Sequence, residues 1–123
     1  MSSSSVELWQ TFVDAFVSSH EGIHRNWVVE RGKYPDSAEN DKANALLSAL
    51  SPAQRETLAN MLIDARSGGI HDTLVVLHDR IAMNDATYSE RGVAMRFMPH
   101  GFTLYQDFVG RRAGDPWPES RDA

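Results

Sequence analysis

The sequence predicts a mainly α-helical fold, a compact bundle of four or five helices with a short β-ribbon near residues 92–104. Three observations support this class. Apolar residues recur at steps of three and four over long stretches, a serine-proline helix start lies mid-chain, and an alternating apolar segment appears only near the C-terminal end. We expect one domain over residues 6–118, between a disordered start at 1–5 and a disordered tail at 119–123.

The first third of the chain has helical spacing. It predicts one helix from about Val6 to Glu30, or two collinear helices hinged near Gly22, because a glycine there costs only about 1 kcal/mol relative to alanine. Asp36 with Glu39 predicts the start of a second helix. The shared apolar face of the first stretch consists of Trp9, Phe12, Val13, Phe16, His20, Ile23, His24 and Trp27.

The middle of the chain predicts two further helices. Ser51 followed by Pro52 and Gln54 forms a capping box with proline at the first helical position, so a third helix should begin there and end near Arg66. Gly68-Gly69 then favours a break. The run SGGIHDTLVVLHDRIAM at 67–83 has the most continuous apolar stripe and predicts the central helix.

The last third changes character. Alternation from Val93 to Phe97 and the turn residues at 99–101 predict the β-ribbon. Helical spacing returns over 102–112, where Asp107 and Arg111 lie one turn apart and are able to pair. Trp117 lies between two prolines, so we expect an extended segment that docks on the body or serves as an anchor for a partner.

Composition excludes several function classes. The net charge of -5 opposes binding to phosphate backbones, so we expect no nucleic-acid partner. No apolar run approaches the roughly 18 residues of a membrane span, and the start MSSSS lacks the features of a signal peptide, which together predict a cytoplasmic protein. The absence of cysteine excludes disulfides and thiolate chemistry.

The stretch His20-Glu21-Gly22-Ile23-His24 matches the H-E-x-x-H pattern of zinc metalloproteases. On a helix, histidines one turn apart can share a zinc ion while the glutamate acts as a base, and Glu30 is placed as a third ligand. The alternative is that His20 and His24 pack on the apolar face that they share with Trp27. We favour packing, with zinc as the alternative cofactor.

A second metal hypothesis comes from His71-Asp72 and His78-Asp79. Helical metal-dependent phosphohydrolases use an adjacent His-Asp pair to hold two cations, but they also need a distant histidine and aspartate. The simpler interpretation places Asp72 at the positive end of its helix and leaves His78 and Asp79 in water. His100 with neighbouring arginines could bind an anion, although exposed arginines are more often solvated.

Two segments resemble small bacterial proteins of unknown function. The first is the run from Gly68 to Asp72 with Leu74 and Leu77. The second is a C-terminal pattern comprising Asp107-Phe108, Arg111, Gly114 and Trp117-Pro118. The resemblance implies no activity, cofactor or substrate. It does imply that the start of the central helix and the Trp-Pro tail lie together, with Asp107 and Arg111 between them.

We therefore predict a non-enzymatic protein-interaction or regulatory module that binds a protein partner. The predicted binding residues are His71, Asp72, Asp107, Arg111 and Trp117. The alternative function is a metal-dependent hydrolase that uses either the His20-Glu21-x-x-His24 motif, with Glu21 as its catalytic base, or the His71-Asp72 pair. Neither the partner nor the oligomeric state follows from these residues.

Overall fold

The computed structural model of the protein describes residues 2–119. Over these residues the chain is mainly helical, with one two-stranded antiparallel ribbon, which confirms the predicted fold class. The elements are α1 (Ser2–Ser19), a π-helical segment (Asn26–Arg31), a 3-10 turn (Ala38–Asn40), α2 (Asp41–Ala49), α3 (Pro52–Ala82), β1 (Ser89–Glu90), β2 (Val93–Ala94) and α4 (Leu104–Arg112).

The chain folds as two compact units. The second unit is His20–Gly68, and the first is built from the residues on either side of that range. The buried cluster of the first unit is Trp9, Val13, Leu74, Leu104 and Phe108, and that of the second is Val28, Leu47 and Ala59. One domain over 6–118 and a disordered start stay predictions, although α1 already includes residues 2–5. Apart from Glu119, the predicted tail lies outside the described residues.

The third and central helices are one helix, so the predicted break at Gly68-Gly69 is wrong. Helix α3 runs for 31 residues through both glycines. Its start is as predicted, because the Ser51 amide donates to Gln54 Oε1 at 2.8 Å and the Gln54 amide donates to Ser51 Oγ at 3.1 Å. Each glycine costs about 1 kcal/mol in a helix, and buried apolar residues on both sides of the pair outweigh that cost.

The long first helix is also wrong, and the interrupted alternative is closer. Helix α1 ends at Ser19, and Gly22 has a φ of +62°, outside the helical region. A Cβ at Gly22 would lie 2.8 Å from Arg66 Nε, and the positive φ favours glycine over residues with a side chain at this turn. The chain continues as the π-helical segment, which ends at Gly32 with a φ of +73°.

The ribbon lies mostly before the predicted interval. Ser89 pairs with Ala94 and Glu90 with Val93, around a two-residue turn. Arg91 and Gly92 have positive φ values of 51° and 80°, the geometry of a two-residue hairpin turn whose twist matches that of the strands. Turn chemistry at 91–92 therefore determined the position of the ribbon.

Helices α2 and α4 begin later than predicted. The segment from Asp36 leads into a 3-10 turn, and α2 starts only at Asp41. Helix α4 starts at Leu104 behind a complete capping box, in which Thr103 Oγ1 accepts from the Gln106 amide at 3.1 Å and the Thr103 amide donates to Gln106 Oε1 at 2.9 Å. This box sets the first turn of α4.

Candidate functional site

A groove of about 430 Å³ lies beside α4 in the first unit. One wall is the surface of α4, and the other is the extended segment that follows it. We call it the α4–tail groove. Its lining consists of Phe102, the α4 residues Gln106, Asp107, Val109, Gly110 and Arg111, and residues 115–118.

The extended wall is held in place through Arg111. Its Nε and Nη2 donate to the two carboxylate oxygens of Asp14 on α1, at 2.9 and 3.2 Å, and its Nη1 donates to the Asp115 carbonyl at 2.8 Å. The guanidinium carbon also lies 5.0 Å from the ring centroid of Trp117, whose indole nitrogen donates to Asp14 Oδ2 at 3.0 Å. Arginine suits this position because its planar fork serves both acceptors and stacks on the indole.

Asp107 is the buried acid of the groove. Its carboxylate accepts a hydrogen bond from Trp9 Nε1 at 2.8 Å. Burial raises the pKa of Asp107, while the bond from Trp9 and the charge of His100 act in the opposite direction. The raised pKa means that the ionised carboxylate is incompletely compensated, because too few donors replace the water that it lost.

His100 supports the groove from behind. Its ring is buried, with one nitrogen 3.1 Å from Gln10 Nε2 and the other 3.4 Å from the carbonyl oxygen of Glu119. It also lies against the indole of Trp117, with 5.3 Å between ring centroids. His100 is therefore buried, and Arg111, one of the neighbouring arginines that were expected to be solvated, is paired with Asp14.

His78 is a second buried histidine of the first unit, and not a solvated one as predicted. Its Nδ1 lies 3.3 Å from the backbone nitrogen of Leu104, which donates to it, and its ring stacks on Phe97 at 4.9 Å. Burial lowers the pKa of His78, and the charge of Asp79 partly opposes this. The neutral ring thus accepts the first amide of α4.

Of the five predicted binding residues, the structure brings three together. Asp107, Arg111 and Trp117 all line the α4–tail groove. His71 instead faces Tyr105, at 5.3 Å between ring centroids, and lies 3.3 Å from the exposed Asp72, so this pair is outside the groove lining.

The predicted ion pair between Asp107 and Arg111 is wrong, because neither residue has the other as its main contact. Arg111 binds Asp14, and Asp107 binds Trp9. Both partners lie on α1, so a long-range contact has replaced the local one.

The zinc motif lacks the helix that it requires. Helix α1 ends before His20, and His24 Nδ1 lies 3.2 Å from the hydroxyl of Tyr34. Glu30 accepts a hydrogen bond from Asn26 at 2.7 Å. Within residues 2–119, no three or more His, Asp or Glu side chains are grouped so that they could hold a metal ion. Zinc binding stays a prediction that this geometry does not support.

Sequence reasoning missed Asp14, Phe102 and Val109. One signal was present for Asp14, which is a carboxylate between apolar residues of the first helix. Phe102 and Val109 gave no such signal, because single apolar residues near a helix surface are common.

Fold and groove together define a mainly helical protein whose open groove combines apolar walls with a buried acid. The chain belongs to a family of unknown function, DUF6547, which matches residues 2–119. This confirms the resemblance to an uncharacterised family. None of the curated proteins and none of the solved structures matches the chain. Over the described residues, no helix combines the length and apolar character needed to cross a membrane.

Proposed function

We propose that the protein is a non-enzymatic interaction module of the cytoplasm that binds a protein partner in the α4–tail groove. The observation that carries this proposal is the exposed apolar surface of the groove. Phe102 and Val109 are 49% and 53% exposed, and both line the same cavity. Apolar side chains gathered at an open groove are typical of contact surfaces for other proteins.

The charge of the groove favours a basic segment as the occupant. Asp107 and Asp115 both line it, while Arg111 is neutralised by Asp14. The whole chain carries a net charge of -5, so its field also attracts basic partners. An extended segment with basic and apolar residues is complementary to this surface.

Trp117 has a structural role in addition to any role in binding. Its ring is half-buried, packs against the core cluster of the first unit and donates to Asp14. Alanine at Trp117 would therefore loosen the wall of the groove as well as remove a contact. Val109 gives a cleaner test, because its exposed side chain can be changed without removing a buried group.

The test uses immobilised protein and lysate of the native host. Val109→Lys places a positive charge in the groove, where it repels a basic segment, and Val76→Lys makes the same change on α3, at a valine that is 61% exposed and outside the groove lining. We expect a partner that wild type and Val76→Lys retain and that Val109→Lys loses. The same partner, purified, should bind wild type at least about tenfold more tightly than it binds Val109→Lys.

Equal binding of the purified partner by the two lysine variants would refute the proposal. It would also be refuted if wild type retains no protein that Val109→Lys loses. Circular dichroism of each variant confirms that the helices are intact. This control separates loss of the groove from loss of the fold.

A further inference from the structure

Among the described residues, Asp107 of the α4–tail groove accepts a side-chain hydrogen bond only from the indole of Trp9, at 2.8 Å. Because a carboxylate has two oxygens and about four acceptor positions, one donor leaves most of its capacity unused. The residue nevertheless lines the open groove. A ligand in the groove can therefore supply the missing donor directly to Asp107.

The nearest cation of the groove cannot take that role without leaving its present contacts. Arg111 directs Nε and Nη2 to Asp14 and Nη1 to the Asp115 carbonyl, and its guanidinium covers Trp117. The carboxylates of Asp107 and Asp115 thus set the charge that a ligand meets. The Asp115 side chain approaches α4 closely, since a Cβ added at Gly110 would lie 3.3 Å from Asp115 Oδ2.

Apart from Gln106, the remaining lining of the groove is apolar. Phe102 and Val109 are exposed, and Pro116 adds a flat apolar face. Lysine and arginine are side chains with an aliphatic stem and a cationic head, which cover apolar surface with the stem while the head reaches a polar site. The groove is complementary to such a side chain, because its apolar walls lie beside a buried acid.

We infer that the α4–tail groove receives a lysine or arginine side chain of the partner, with the cationic head on Asp107 and the stem against Phe102 and Val109. Asp115 adds negative charge from the opposite wall. The inference rests on the proposed function, and it names the residue type by which a partner is anchored.

Matched small probes test this inference on the full chain. Nα-acetyl-lysine amide and Nα-acetyl-arginine amide carry the cation, whereas the norleucine and citrulline amides are neutral analogues of similar shape. Binding is followed through the indole N–H resonances of the three tryptophans. Trp9 and Trp117 contact the groove residues, and Trp27, in the second unit, is an internal control.

We expect the cationic probes to shift the Trp9 and Trp117 resonances in a saturable way and to leave Trp27 in place. Asp107→Asn, which keeps an acceptor for Trp9, should weaken this binding about tenfold. Asp72→Asn makes the same charge change at an exposed site and should leave binding unchanged. If Asp107→Asn does not fold, Asp115→Asn should still weaken binding several-fold.

The inference is overturned if the neutral analogues bind as tightly as the cationic probes, if neither variant of the groove acids weakens binding, or if Trp27 shifts together with the other two. These outcomes are independent of the partner experiment. Should Val109→Lys lose the partner while the basic probes fail to bind, the groove is the docking site and only the basic anchor is refuted.

Discussion

The two units both contain an aromatic cluster with a histidine, yet only one of these clusters adjoins a groove with a buried acid. In the second unit His24, Trp27 and Tyr34 lie with ring centroids 5.1 to 6.1 Å apart, all half-buried. In the first unit Trp9 meets the ring of His78 at 6.4 Å and also donates to Asp107. The same residue types therefore serve different purposes.

The two clusters differ in how the polar groups beside them are hydrogen-bonded. In the second unit the backbone of Tyr34 is satisfied locally, because Asn44 accepts from its amide at 2.7 Å and donates to its carbonyl at 3.2 Å. In the first unit Asp107 is buried with a raised pKa. Proximity of aromatic rings and histidines thus does not by itself mark a site. An incompletely compensated buried charge beside a cavity is the more informative feature.

The largest expected effect is a difference in the free energy of unfolding between variants of Trp9 and Trp27. Trp9→Phe removes a donor from a buried carboxylate and reduces core volume, so we expect the free energy of unfolding to fall by about 2–3 kcal/mol. Trp27→Phe, at a half-buried ring of the second unit, should cost about 1 kcal/mol or less. Urea denaturation followed by circular dichroism measures both. Equal losses would show that the bond to Asp107 contributes little.

The next effect compares two arginines. Arg111→Lys loses the two-pronged contact with Asp14 and the stacking on Trp117, and should cost about 1 kcal/mol. Arg25→Lys affects the more exposed pair with Glu56, whose side chains are 40% and 46% exposed, and should cost no more than about 0.5 kcal/mol. The same denaturation series applies. A larger loss at Arg25 would contradict the assignment of Arg111 as the residue that holds the groove wall.

A smaller effect tests the continuity of α3. At Gly68 an added Cβ would meet no described atom within 4 Å, so Gly68→Ala should stabilise the protein by about 0.5–1 kcal/mol. At Gly110 the same gain is opposed by the close Asp115 carboxylate, and Gly110→Ala should be near neutral. Thermal melting of the two variants measures the difference. Destabilisation by Gly68→Ala would mean that this position requires glycine.

The most subtle expected effect is a difference between pH profiles. The unfolded chain protonates His78 near its ordinary pKa of 6.5, whereas burial lowers the pKa of His78 in the folded chain. The unfolded state therefore binds more protons as the pH falls through 6.5, and stability decreases in that direction. Asp107 has the opposite effect on stability. Because its pKa is raised in the folded chain, the folded state binds a proton at a higher pH than the unfolded state does, and this contribution to stability increases as the pH falls.

Denaturation of wild type and His78→Asn between about pH 7.5 and 5.5 checks the sign. Asparagine at 78 keeps an acceptor for the Leu104 amide but does not titrate, so its profile should be flatter than that of wild type. A slope that survives in His78→Asn would assign the pH dependence to other groups.

Much of the helical fold was predictable because its signals are local. The capping box at Ser51 and Gln54 placed the start of α3 correctly, since the whole interaction lies within four consecutive residues. Glycine signals were less reliable. Gly22 ended the regular helix where Arg66 approaches it, while Gly68 did not, because the approach of another side chain cannot be read from the glycine itself.

The sequence predicted three residues of the groove lining but not their contacts. Asp107, Arg111 and Trp117 line the groove, and their role in binding stays a prediction. The expected pairing of Asp107 with Arg111 was local, whereas the observed partners lie on α1. Phe102 and Val109 line the groove only because the extended segment lies beside α4 and leaves a cavity between itself and the helix.

By itself the sequence determined the start of α3, the acidic charge and the absence of cysteine chemistry, because these depend on composition or on residues a few positions apart. Tertiary structure alone decided that Trp9 meets Asp107, 98 residues away, and that Arg111 binds Asp14, 97 residues away. The physical reason is burial. Only the packed chain determines which carboxylate loses its water and which donor replaces that water.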